Sequence, residues 1–242
     1  MSEVPMGSRD DVLAGGGTGG TTSSPMAFPI PADELGTVSI VPNGSFEAGS
    51  YQTFVLTYVA GKFGIDDSGS MRVCFRFASD QTRPQFEDPK GPNYTTIEAS
   101  NNAVLTYHYD PKGNVRPWDR TLYIKVVRGF LREGDKITIT FGDRSGGSPG
   151  MRLQTFCEDS YEFHTLIDPI ATYCYQPMPV QPVIKIIPGK PDHYLTVAPT
   201  IREIDESFSI KFKGEDKWGN PSDQCDIQLY PRASHPVQNL PD

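Results

Sequence analysis

The sequence predicts an all-β protein, an antiparallel β-sandwich or barrel-like domain followed by an incomplete immunoglobulin-like β unit. Three observations lead there. Several segments alternate apolar and polar residues with period two, turn residues separate them at short intervals, and no stretch longer than ten residues keeps a 3.6-residue period. Gly (23) and Pro (22) together approach a fifth of the 242 residues, which suits many turns and short strands better than long helices. The 13 Phe, 11 Tyr and 2 Trp supply the bulk for a sheet-packed core.

Residues 1–36 read as a disordered Gly/Ser/Pro-rich tail. The run Gly15-Gly16-Gly17-Thr18-Gly19-Gly20-Thr21-Thr22-Ser23-Ser24 cannot bury enough surface to offset its ordering entropy. It lacks the Lys-Ser/Thr ending of a phosphate loop, and no strand precedes it. The β-sandwich domain follows over residues 37–176. Residues 37–41 are β-branched and stop at Pro42-Asn43-Gly44. In 52–59, Phe54, Leu56 and Tyr58 alternate with Thr53, Val55 and Thr57, so bulky side chains share one face. In 70–77, Met71, Val73, Phe75 and Phe77 face one way and Arg72, Cys74 and Arg76 the other. Both arginines therefore point off the core, towards solvent, a neighbouring sheet or a partner. Further strands are expected at 103–109, 120–127, 136–141, 151–156 and 161–167, with turns such as Asp110-Pro111-Lys112-Gly113 between them.

A Pro-rich linker is expected at 177–182, where Pro177, Pro179 and Pro182 stiffen the chain. A partial immunoglobulin-like unit then spans 183–242, with strands at 183–187, 193–197, 207–212 and 225–230. Four strands fall short of the roughly seven that such a sandwich needs. One apolar face, with Ile184, Ile186, Leu195, Val197, Phe208, Ile210 and Phe212 on or near it, needs cover from elsewhere.

The formal net charge of -8 argues against nucleic acid, whose binding needs clustered Lys and Arg. No secretory signal and no apolar run of ~20 residues is visible, so the expectation is a cytoplasmic protein off the membrane, with Cys74, Cys157, Cys174 and Cys225 reduced. None of these cysteines forms a CxxC pair, which argues against a closed zinc site.

Two loops stand out as binding candidates. In the first, the glycines and serines of Arg144-Ser145-Gly146-Gly147-Ser148 could aim backbone N–H groups at an anion, with Arg144 and Arg152 as clamps. The same pattern also describes a wide hairpin loop with solvated arginines. In the second, Arg116-Pro117-Trp118-Asp119-Arg120 holds an indole between guanidiniums and could stack on a sugar or aromatic ligand, or anchor a loop on the core. Glu162 and His164 share a strand face roughly 7 Å apart, two ligands without a visible third. Asp66, Asp67 and Asp80 sit in Gly/Ser turns, where Asp is the ordinary turn residue. No nucleophile elbow is present, so no catalytic residue is assigned.

The order of the motifs is more specific than any one of them. Gly61-Lys62-Phe63-Gly64-Ile65-Asp66-Asp67-Ser68-Gly69-Ser70 leads into the strand with Arg76. Ser79-Asp80, Pro92-Asn93-Tyr94, Arg116-Pro117, Gly142-Asp143, Gln154-Thr155-Phe156, Asp168-Pro169 and Asp216-Lys217-Trp218-Gly219-Asn220-Pro221 follow. Over roughly residues 36–221 the chain resembles the front part of a bacterial family, domain of unknown function thirty-six-oh-four. The resemblance implies an N-terminal β region with an immunoglobulin-like part, followed elsewhere by a metal-dependent hydrolase-like domain. This sequence has no His-x-His, so no catalytic residue of that domain carries over and no cofactor is expected on this chain. A metal is expected on a partner chain that supplies the missing strands. The first functional expectation is thus a non-catalytic β subunit of a split enzyme. The alternative is a free-standing module that binds an anionic or sugar-like ligand through the Arg/Trp loops.

Overall fold

The alternating segments found in the sequence become strands in a computed structural model that describes residues 29–224. The first 28 residues of the expected tail and the expected strand at 225–230 lie outside them. In chain order the strands are β1 (Gly36–Val41), β2 (Ser45–Glu47), β3 (Tyr51–Gln52), β4 (Phe54–Ala60), β5 (Ser70–Phe75), β6 (Thr95–Ala99), β7 (Val104–Asp110), β8 (Arg120–Arg128) and β9 (Lys136–Phe141). They continue with β10 (Met151–Arg152), β11 (Glu158–Glu162), β12 (His164–Asp168), β13 (Gln176–Pro177), β14 (Val183–Ile187), β15 (His193–Val197), β16 (Lys211–Glu215) and β17 (Pro221–Ser222).

Two large antiparallel sheets, in the orders β1-β4-β9-β6 and β13-β12-β5-β8-β7, form a β-sandwich. Period-two patterning decides which side chains meet. Phe54, Leu56 and Tyr58 of β4 and Ile137, Ile139 and Phe141 of β9 are buried against Met71, Val73 and Phe75 of β5 and Leu122, Ile124 and Val126 of β8. Phe163, between β11 and β12, lies 5.6 Å from Phe54, 5.6 Å from Phe75 and 5.8 Å from Phe141, ring centre to ring centre. Each such side chain contributes about 1.5–3 kcal/mol by burial.

Four expectations are corrected. The tail ends earlier than residue 36: Ile30 and Leu35 are buried, and the Gln176 side chain accepts from the Ile30 N–H and donates to the Ile30 carbonyl. Residues 177–182 are not a free spacer, because Met178 is buried and the Gln181 side chain pairs with both the N–H and the carbonyl of Thr165. The strand at 161–167 breaks at Phe163, where the chain changes sheets: β11 pairs with β14 and β12 with β5. Finally, β14 does not open a second unit. It pairs antiparallel with β11 and parallel with β2, and Ile184 and Ile186 join the sandwich core.

Among the described residues, what remains of the expected second unit is a three-stranded sheet, β15-β16-β17. Its middle strand, β16, starts later than the sequence suggests, at Lys211 rather than 207. The motif Asp216-Lys217-Trp218-Gly219-Asn220 docks this sheet on the sandwich. The Asp216 carboxylate accepts from the backbone N–H groups of Gly189, Trp218 and Asn220 and from the Asn220 amide. Asn220 donates to the Thr155 carbonyl and accepts from the Cys157 N–H, and Trp218 donates to the Ala48 carbonyl. Gly49 is required here: its φ is +68°, and a Cβ would lie 2.6 Å from the Trp218 indole.

Candidate functional site

The outer face of the five-stranded sheet gathers the polar and aromatic side chains that the core excludes. Strand register sets them in rows. Arg72 of β5 lies beside Tyr123 of β8, which lies beside His108 of β7. In the next row His164, Cys74, Thr121 and Asp110 follow one another across β12, β5, β8 and β7.

At the centre is Arg72. Its guanidinium carbon is 3.8 Å from the centre of the Tyr175 ring and 5.7 Å from that of Tyr123. Tyr175 is itself held by a 2.6 Å hydrogen bond with Ser70. The buried Arg72 Nε has no hydrogen-bond partner, and the side chain forms no ion pair among the described residues. A cavity of about 190 Å³ opens beside it, lined by Arg72, His108, Asp110, Gly113, Thr121, Tyr123 and Tyr173. Cys74 is buried next to it, 3.5 Å from the Thr121 hydroxyl and 3.4 Å from the Asn114 amide. Burial pushes its thiol pKa up to about 11, against the opposing pull of Thr121, Arg72 and Asn114. A thiol held protonated in this way is not a nucleophile.

At the β12 edge the Trp118 indole stacks on the His164 ring, 4.7 Å apart and 16° from parallel. His164 Nδ1 is 2.6 Å from Glu162 Oε1. The pair flanks Phe163, where the chain changes sheets. Arg76 lies over Trp118 at 5.6 Å and donates to Glu158 at 2.7 Å, while Arg116 lies over Phe77 at 4.9 Å and within 3.5 Å of Asp119. Arg116 and Trp118 thus belong to this face.

The Gly146 loop does not. Arg144 donates to the Tyr51 carbonyl, and Arg152 to the Asp80 carbonyl with the Asp80 carboxylate 3.6 Å away. The two arginines are engaged by different partners and form no common clamp. The Ser145 N–H goes to Asp143, the Gly147 N–H to the Arg144 carbonyl, and the Gly150 N–H to Ser148 Oγ. A Cβ on Gly146 would strike Pro89 at 2.4 Å, so this glycine serves close packing. Asp80, expected as a turn residue, caps the loop of Thr155. Burial pushes its pKa up, and the two hydrogen bonds from Thr155 with Arg152 nearby outweigh that and hold it below the usual value.

Sequence reasoning placed Arg72 off the core but did not single it out. The signal was the inward-outward alternation of 70–77. The partners Tyr123, Tyr173 and Tyr175 come from segments about 50 and 100 residues further on, and only sheet pairing brings them in. Among the described residues, no three His, Cys, Asp or Glu side chains converge as metal ligands would. No helix among them is long and apolar enough to cross a membrane.

The fold and this face define a β-sandwich protein with a polar-aromatic outer sheet. No family model matches the chain, and no curated protein matches it. Among solved structures it is similar to the CBM3a-L domain with flanking linkers from scaffoldin cipA of the cellulosome of Clostridium thermocellum. The identity is 11% and the TM-score 0.34, over 64% of this chain and 98% of that one.

Proposed function

We propose that this chain is the non-catalytic β subunit of a metal-dependent, hydrolase-like assembly whose catalytic domain is on a partner chain. One observation carries the reading. Val197, Ile201, Ile204, Phe208, Ile210 and Phe212 are all exposed, Ile201 and Ile204 by 86% and 94%. A single segment with this much uncovered apolar surface marks an interaction site. The resemblance of the motif order to domain of unknown function family thirty-six-oh-four supports a partner that brings further strands and the metal ligands. Strand addition to the β15 edge would pair its free backbone groups, and a facing layer from the partner would cover the apolar side chains, in an interface of about 2,000 Å² or more. We place the assembly in the cytoplasm, with its thiols reduced; Cys74, Cys157 and Cys174 are unpaired in the structure.

The test is expression of the full chain alone and with the protein encoded beside it. Alone it should self-associate and bind a hydrophobic dye. Together the two should elute as one metal-containing complex, and alkylation without prior reduction should modify all four thiols. A dye-silent monomer that ignores the neighbouring protein would overturn the reading, and two disulfides would overturn the compartment. A second reading, a module for an anionic or sugar-like ligand, is favoured by the unpaired Arg72 beside its cavity.

A further inference from the structure

We infer that the cavity between Arg72 and Tyr173 is a binding site for a single sugar ring bearing a carboxylate. This deepens the ligand-binding reading and does not depend on the assembly.

The first support is the unmet demand of Arg72. A guanidinium carries five N–H donors in a plane suited to a carboxylate. Here it is stacked on Tyr175, its Nε is buried without a partner, and no carboxylate pairs with it among the described residues. Holding a cation partly out of water without a counter-charge is costly. A ligand carboxylate in the cavity would supply the counter-charge.

The second support is Tyr173. This ring is 77% exposed although it lines the cavity. Its φ is +61°, and that of Ala171 is +53°, a region that residues other than glycine rarely adopt. The loop is kept there by Asp168, whose side chain is buried in the sheet. Asp168 accepts from the Thr172 N–H and hydroxyl at 2.9 Å and from the Tyr173 N–H at 2.6 Å. Backbone strain held by a buried carboxylate, with the result that an aromatic ring stands in water, fits a loop shaped for a ligand.

The third support is the rest of the lining. Asp110 offers a carboxylate for ligand hydroxyls, and Tyr123 and Tyr173 offer ring faces for C–H surfaces. The Asp110 carboxylate would repel a compact anion such as phosphate filling the whole cavity, but it accepts from a hydroxyl on the side of a ring away from its acid group. At about 190 Å³ the space is below the ~300–1,000 Å³ of drug-sized pockets, so it takes one ring.

The experiment is calorimetric titration of the full chain, in whatever assembly it forms, with glucuronate, glucose and inorganic phosphate. Glucuronate should bind about tenfold or more tighter than glucose, as expected for a charged pair of hydrogen bonds, and tighter than phosphate. Tyr173→Ala should weaken glucuronate binding without moving the melting temperature, since the ring is exposed. Arg72→Gln should abolish the preference for glucuronate over glucose. Equal binding of glucose and glucuronate would overturn the inference, as would phosphate binding at least as tightly as glucuronate, or a Tyr173→Ala variant of unchanged affinity. Absence of binding by all three probes would overturn the ligand-binding reading with it.

Discussion

The sandwich and the distal sheet are built from strands of similar length and composition, yet they end in opposite states. In β4 every second residue is buried against a facing sheet, whereas all five residues of β15 are exposed. Both segments are rich in branched and aromatic residues, Phe54, Val55, Leu56, Tyr58 and Val59 in one and Tyr194, Leu195 and Val197 in the other. The difference is the presence of a second layer. Two facing sheets turn period-two patterning into a core, and the three-stranded sheet, with no facing layer among the described residues, leaves it uncovered. Burial is thus a property of the pair of sheets, not of the strand.

This contrast can be broken or sharpened by three substitutions. The largest effect is expected in the sandwich. Phe163→Ala removes the ring shared by Phe54, Phe75 and Phe141 and should destabilise the chain by about 3–5 kcal/mol in denaturant unfolding. A loss of under 1 kcal/mol would mean that the two sheets do not share one packed core.

The next effect falls at the joint between the regions. Asp216→Ala leaves the N–H groups of Gly189, Trp218 and Asn220 without their acceptor and should cost about 1–3 kcal/mol. It should also speed proteolysis near residues 193–212 before the sandwich is cut. The pH dependence follows from the carboxylate. Burial pushes the Asp216 pKa up, but the hydrogen bonds from Asn220, Gly189 and Trp218 outweigh this and hold it below the usual value. A carboxylate with a lowered folded-state pKa adds stability that is complete above its unfolded value, about 3.9. That stability is lost as pH falls through the folded value. Stability measured between about pH 5 and pH 2 should therefore fall less steeply in Asp216→Ala than in the parent chain. Parallel pH curves would remove Asp216 from the joint.

The smallest effect on the chain's own stability is expected in the segment that links β15 to β16. Ile204→Ser exchanges an exposed apolar side chain for a polar one and should change unfolding by no more than about 0.5 kcal/mol. The same change should reduce self-association and weaken capture of the neighbouring protein. A cooperative loss of several kcal/mol would show that Ile204 is covered within the chain itself.

Much of the fold was legible because period-two alternation encodes both strand and face. Phe54, Leu56 and Tyr58, Met71 and Val73, and the whole of Lys136–Phe141 follow from the residues alone. Phe77 was expected inside and is 45% exposed, because β5 ends at Phe75 and alternation does not mark strand ends. The candidate site was legible only in part. Trp118 and Arg116 stood out by residue type, and so did the Glu162–His164 pair. The Gly146 loop stood out as well, but its arginines are spent on Tyr51 and Asp80, distant partners that no local pattern reveals.

By itself the sequence determined the class of fold and the inward face of most strands. These are local properties, written by side-chain period and turn chemistry. Only the tertiary structure decided that Val183–Ile187 belongs to the sandwich, that Asp216 to Asn220 form the joint, and that Tyr173, Tyr123 and Tyr175 gather around Arg72. Each of those outcomes depends on which distant strands pair, and in what register. Pairing is chosen by the total apolar surface that the whole chain can bury, so no short segment carries it.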